Sequence, residues 1–284
     1  MSTITPLTRA KIKAYLEVFI ERTVELHRGR EIDAFTSSTD YLDLTSTKGR
    51  LKPFHAALLP KSISRISAFE RSLSTTLGTT FEECARLIAL DHHAAAQRGY
   101  DIAGTIAGET IQEIERQTAI RERAVESGGE LPTLNQMIDQ VTTRSGSDSE
   151  VLRKVRVDLF VQTYDGRELY FELKSPVPNK GQCIEVTQRI LRIHALRGIS
   201  RPQVQAYFAM AYNPFGSTRE HYKWSIARQY LPFDQAVVIG HEFWTLIGGD
   251  TTFAELLDIY REVGEEKAKY VVDALGCVDI CTRS

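Results

Sequence analysis

Asp158, Glu172 and Lys174 are the residues whose types and spacing could do chemistry. Thirteen residues separate Asp158 from Glu172, and Lys174 follows two positions later. Residues two apart project to one face of a strand, so Glu172 and Lys174 would share a face while Leu173, Phe171 and Leu169 turn to the core. Two carboxylates converging at a sheet end repel each other unless a cation joins them, and hard oxygen ligands select Mg2+ or Mn2+. A lysine alongside can orient or activate an attacking water and offset charge on a pentavalent phosphate. The chemistry suggested is metal-assisted phosphodiester hydrolysis, with Asp158 and Glu172 as metal ligands and Lys174 acting on the water.

Such a trio also arises by chance, so the elements that carry it must decide. Val155, Val157, Leu159 and Val161 alternate with Arg156, Asp158 and Phe160, which is strand periodicity. Asp165-Gly166 supplies a hairpin turn, and Glu168 to Lys174 a second strand. The proline-containing run Ser175 to Lys180 closes the hairpin, and a helix from about Cys183 to Leu196 follows. By contrast, the acid-x-Lys match Glu265-Glu266-Lys267 sits in a solvated, helical charge run with no strand before it. Downstream, strands are expected at Gln205–Met210 and Ala236–Ile239, and helices around Tyr222–Tyr230 and Thr252–Val263.

Upstream, apolar residues at three and four from Thr8 to Arg28 predict a helix. A polar stretch from Ser37 to Lys52 leads to a second helical region from Ser62 to Arg98, broken near Gly78, where Thr79 or Thr80 would cap a new helix with Phe81, Ala85, Ile88 and Ala89 inward. A short β-like run spans Tyr100–Ala107, a helix spans Glu109–Glu126, and the polar run from Thr142 to Glu150 reads as a loop. Strands alternating with helices in this order imply an α/β core with a mixed sheet.

On these residues the chain resembles the PD-(D/E)XK nuclease superfamily, which includes most type II restriction endonucleases. The runs FERSLSTTLGTTFEECARLIA, ELKSPVPNKGQ and GHEFWTLIGGDTTFAELLDIYREVG are similar in style to bacterial restriction enzymes, with a TdeIII-like group as the finer likeness. Val157 stands before Asp158 where the superfamily pattern has proline. The resemblance implies a restriction-endonuclease-like mixed β-sheet core flanked by helices, with helical N-terminal and C-terminal additions. It divides the single nuclease domain of residues 1–284 into an N-terminal arm (1–60), a catalytic core (62–247) and a C-terminal segment (248–284). It also implies that Asp158 and Glu172 hold metal while Lys174 assists water. An upstream helix commonly adds a glutamate in a G-x-x-x-E pattern, matched by Gly78 to Glu82. Glu82 is therefore a candidate catalytic and metal-binding residue, with Glu83 and Glu70 as substitutes; an acid in a first helical turn also serves the helix dipole. A cognate DNA methyltransferase is an implied partner.

Charge is consistent with local contact to nucleic acid. The chain of 284 residues has a net charge of −2, yet residues 151–230 hold thirteen Lys or Arg against six acids. Basicity concentrates around the proposed site, as phosphate contacts require, and Lys180, Gln188, Arg189 and Lys223 are candidate DNA contacts. Arg189 and its neighbours would otherwise form a solvated helix face. His92 and His93 are expected in ordinary surface or packing roles, and Phe243 and Trp244 in the core. Asn213 to Gly216 is read as a turn first and a base-reading loop second.

Four scattered cysteines argue against a disulfide scaffold or a zinc site and for a reducing cytoplasm. No P-loop, dinucleotide-binding, zincin or nucleophile-elbow motif occurs, and no stretch approaches a membrane span. The expected function is Mg2+-dependent, sequence-specific cleavage of double-stranded DNA by a homodimer. A repair or junction-resolving nuclease, a non-catalytic DNA-binding module and a structural protein are the alternatives.

Overall fold

The computed structural model describes residues 2–28, 53–143 and 150–275. Helices α1 (Pro6–Glu25), α2 (Pro53–Leu58) and α3 (Lys61–His92) precede strand β1 (Ala95–Ala107). Helices α4 (Gly108–Ser127) and α5 (Leu134–Thr142) lead to strands β2 (Glu150–Gln162) and β3 (Glu168–Leu173). Helix α6 (Lys180–Arg197), strand β4 (Val204–Met210), a 3-10 turn (Arg219–His221), helices α7 (Ser225–Tyr230) and α8 (Phe233–Ala236) and strand β5 (Val237–Ile239) follow, then α9 (His241–Gly248) and α10 (Thr252–Leu275).

The mixed sheet expected from the alternation is present, with five strands in the order β1-β2-β3-β4-β5. The β1–β2 and β2–β3 pairs are antiparallel, whereas β3–β4 and β4–β5 are parallel. A parallel pair cannot be joined by a tight turn. Helix α6 makes the crossover from β3 to β4, starting at an Asn179–Gln182 capping box and ending at Gly198, whose φ of 62° is the left-handed cap. Tyr222 and Trp224 donate at 2.7 Å to the carbonyls of Pro176 and Pro178, which ties down the segment between β3 and α6.

Two compact units divide the chain. One takes Phe81–Leu256 with the N-terminal residues to Arg9; the other takes Ala10–Thr80 with the residues from Leu257. In the first, Val157, Phe160, Tyr170 and Phe208 from the sheet bury against Val186, Ile190 and Leu191 of α6 and Met137 of α5. Phe171 meets Phe243 edge to face at 5.5 Å, and Phe243 and Trp244 are fully buried, as expected of core residues. In the second unit, Ile12, Leu16 and Val263 are buried and Lys13 lies 2.7 Å from both Glu262 and Glu266.

Several boundaries differ from the sequence reading. Helix α3 runs through Gly78 without a break. Thr79 and Thr80 turn their hydroxyls back to carbonyls three residues earlier, at 2.6 Å each, instead of capping a new helix. Ala85, Ile88 and Ala89 are nevertheless buried. β1 begins at Ala95 rather than Tyr100, because pairing with β2 extends it beyond what its own composition supports. α5 was not expected, although Thr133 and Gln136 form a capping box before it. α10 continues past Val263 and Gly264 to Leu275. The polar stretch from Ser37 to Lys52, most of the loop before β2, and Cys277 and Cys281 lie outside the described residues. Cys84 and Cys183 are buried free thiols. Among the described residues no helix is long and apolar enough to cross a membrane.

Candidate active site

The β2–β3 hairpin places Asp158 and Glu172 side by side. Its turn is closed by Gly166, at a φ of 84°, and its ladder pairs Leu159 with Phe171 through Gln162 with Glu168. Beyond Leu159 the strands part, and the Asp158 carboxylate accepts from the Leu173 amide at 2.8 Å, taking an N–H that the ladder no longer uses. The two-residue alternation also slips here. Val155, Val157 and then Phe160 join the same core cluster, so Asp158 and Leu159 occupy the slip. Across from it, Gly99 of β1 has a φ of 58°, and the pairing register is the same on either side. Such irregularities re-aim side chains at the edge of a paired region.

Charge is crowded at this point. Lys174 Nζ lies 2.6 Å from Glu172 Oε1 and 3.8 Å from Asp158 Oδ2. Arg189 of α6 reaches the same Glu172 oxygen at 2.6 Å and also pairs with Glu185 at 2.8 Å. Glu172 is 3% exposed, and its Oε2 is buried without a hydrogen-bond partner. Burial pushes the carboxyl of Asp158 above its ordinary range; Lys174 opposes this shift and the negative Glu82 adds to it. Burial and the neighbouring Asp158 push Glu172 the same way. Burial works against the charge on Lys174, but Glu172 and Asp158 outweigh it and hold the ammonium above its usual range. Two desolvated carboxylates with one oxygen unpaired form a donor set suited to a hard cation.

Glu82 lines a cleft of about 310 Å³ with Arg98, Gly99, Arg156 and Asp158. Its carboxylate is bound by Arg98 at 2.8 Å, and Arg98 also reaches Glu83 at 3.2 Å. Accordingly, no group of three or more His, Cys, Asp or Glu poised to hold a metal occurs among the described residues. The converging pair is Asp158 and Glu172, with Glu82 across the cleft behind an arginine. Glu70 is exposed and accepts from Ser74.

The residues expected on DNA separate into three kinds. Lys180 is held by Glu122 at 2.5 Å and Glu126 at 3.0 Å, and Gln188 donates to Thr118 at 3.2 Å. Arg189 is inside the site, and Lys223 is exposed. His92 and His93 each contact a carbonyl oxygen, of Thr3 and of Leu246, in packing roles. Asn213 donates to the Thr218 carbonyl in a turn. Sequence reasoning missed Arg98 and did not anticipate that Arg189 reaches Glu172. The Glu185–Arg189 spacing is a helix-pair signal, but nothing local indicates that the same guanidinium also reaches Glu172.

The five-stranded mixed sheet flanked by helices is consistent with a restriction-endonuclease-like α/β fold, and its hairpin brings Asp158, Glu172 and Lys174 together. Comparison with known proteins gives the family. The type II restriction endonuclease HinfI family model matches residues 9–264. Three curated relatives from Herpetosiphon aurantiacus are type II restriction enzymes: HgiEI is 48% identical over 96% of this chain and 98% of its own length. HgiBI is 47% identical over the same shares, and HgiCII 46% over 96% and 99%. The chain belongs to the HinfI family of type II restriction endonucleases, which are site-specific deoxyribonucleases; the matching family is HinfI, where sequence style pointed to a TdeIII-like group.

Proposed function

We propose that this protein hydrolyses phosphodiester bonds in double-stranded DNA at a specific sequence, with Mg2+ as its ion and Mn2+ able to replace it. The observation that carries this reading is the buried Glu172 carboxylate, which has Oε1 bound by Lys174 and Arg189 and Oε2 unpaired beside Asp158. An orphaned buried carboxylate oxygen is costly, and a divalent ion relieves that cost. Bound between Asp158 and Glu172, the ion would act as a Lewis acid toward the phosphate and acidify a water.

The protein's own groups set the geometry. Arg189 holds Glu172 in one orientation, so its role is positioning rather than a phosphate contact. Lys174, anchored on Glu172, orients the attacking water and faces the charge that develops on the phosphate. Glu82, held by Arg98 at 2.8 Å, would be a further residue to hold the ion. With these roles Asp158, Glu172 and Lys174 match the PD-(D/E)XK pattern.

A palindromic target would be cut by a two-fold homodimer, one site per strand. A matching DNA methyltransferase would protect the host genome. The exposed Lys223 remains a candidate phosphate contact. Plasmid and phage DNA incubated with the protein in Mg2+, followed by sequencing of fragment ends, tests the reading: discrete ends sharing one motif, abolished by EDTA, are expected. Full cleavage in chelator, or random ends, would overturn it.

A further inference from the structure

Two arginines line the cleft beside Asp158, and the fold treats them differently. Arg98 is closed off by Glu82 and Glu83. Arg156 stands two residues before Asp158 on β2, with a side chain 69% exposed. Its ion pair among the described residues is a long one, 3.9 Å to Asp101, whose same oxygen Lys154 already holds at 2.8 Å. The guanidinium lies instead over Gly99. A Cβ on Gly99 would come within 2.6 Å of Arg156 Nη2, so the absence of a side chain there lets the guanidinium lie across the strand. Gly99 is also the residue opposite Asp158, where the strand alternation slips.

We infer that Arg156 binds the DNA backbone at the active site. Its planar guanidinium contacts the non-bridging oxygens of a phosphodiester in the cleft, either the one being cut or its immediate neighbour, and Gly99 is the bare backbone that gives it reach. The inference rests on the reading that Asp158 and Glu172 form the nuclease centre. Three observations converge on it: the side chain lines the same cleft as Asp158, it is weakly engaged within the protein, and it is positive next to a site that must take up a polyanion. The cleft volume of about 310 Å³ corresponds to roughly ten water volumes, room for a phosphate group with part of its hydration. Guanidinium suits this task because its fork of donors matches two phosphate oxygens, which an ammonium cannot do.

The test is a binding cycle, read by fluorescence anisotropy in Ca2+, on duplexes bearing the cleavage site mapped from the protein's own digests. One duplex is native; in the others the scissile phosphate or a flanking phosphate is a neutral methylphosphonate. Arg156→Ala should bind native DNA about tenfold weaker, the effect of losing one charge-assisted contact. Wild type should lose a similar factor on one of the modified duplexes, and Arg156→Ala should lose nothing further on that same duplex. The slope of log affinity against log salt should fall by about one. Gly99→Ala, which keeps the charge but displaces the guanidinium, should lose the same methylphosphonate sensitivity, and Arg156→Lys should recover only part of the affinity. If Arg156→Ala keeps the full methylphosphonate penalty at every phosphate, the inference is overturned. That failure would leave wild-type cleavage untouched, whereas failure of the nuclease reading would appear as wild-type protein that does not cut in Mg2+.

Discussion

The two ends of the β2–β3 hairpin are built from the same kinds of residue and do opposite things. At the turn, Asp165 accepts from the Thr163 hydroxyl and from Arg167 at 2.8 Å, and these bonds hold its carboxyl below the ordinary range. At the other end, Asp158 has a lysine at 3.8 Å and a backbone N–H at 2.8 Å, yet burial and Glu82 push its carboxyl up. The turn acid has all the cationic and hydrogen-bonding support it needs in open solvent. The site acid is desolvated, and the nearby cations do not offset the cost of that burial. An aspartate beside a base is therefore a structural feature or a poised ligand according chiefly to its burial.

The largest expected effect separates the two ends by activity. Lys174→Ala should slow the chemical step by about a hundredfold or more, while DNA binding in Ca2+ largely survives because many phosphate contacts share the affinity. Arg167→Ala, the matching change at the turn, should cut like wild type. A gel-shift and cleavage pair on one duplex measures both. Equal cleavage by the two variants would erase the distinction.

An intermediate effect is expected across the cleft. Glu82→Gln should reduce cleavage by more than about tenfold while changing stability by no more than roughly 1 kcal/mol, the scale of a partly exposed ion pair. Arg98 keeps Glu83 as a partner in that variant. Cleavage rates beside thermal melts would check this, and a variant that cuts normally would confine the metal-binding acids to Asp158 and Glu172.

The smallest effects have opposite signs. A carboxyl raised in the fold contributes stability when protonated and loses it as pH rises through the raised value; a lowered one contributes above its unfolded pKa and loses it as pH falls. Metal-free Asp158→Asn should therefore melt above wild type at neutral pH, and Asp165→Asn should melt below it. Both differences should shrink toward acid. Melting curves in EDTA across the carboxylate range measure them, and the reverse order at neutral pH would break the comparison.

The hairpin was legible because its signals are local. Alternation around Asp158, Asp165-Gly166 at the turn and the Glu172-Leu173-Lys174 ending all lie within a short stretch, and the structure keeps them together. The helix upstream was half legible. The inward face with Ala85, Ile88 and Ala89 follows from spacing, but continuity through Gly78 does not, since a glycine in a helix is permitted at a cost that packing offsets. The expected DNA contacts fared differently again. Lys180 and Gln188 were chosen for charge and position on a helix, and the packing of α4 against α6 engages both of them.

By itself the sequence determined which strands form, where they turn and which charged residues the hairpin end carries, because backbone periodicity and turn chemistry act between near neighbours. Tertiary structure alone decided that Arg189 reaches Glu172, that Arg98 covers Glu82, and that Gly99 lies beneath Arg156. Those meetings join residues from separate elements, and their direction depends on how helices pack on the sheet and where the strand alternation slips. Neither is written in the spacing of any one segment. Burial at the site is a sum over such meetings, so the desolvation that suits Asp158 and Glu172 to a cation arises only once the chain has folded.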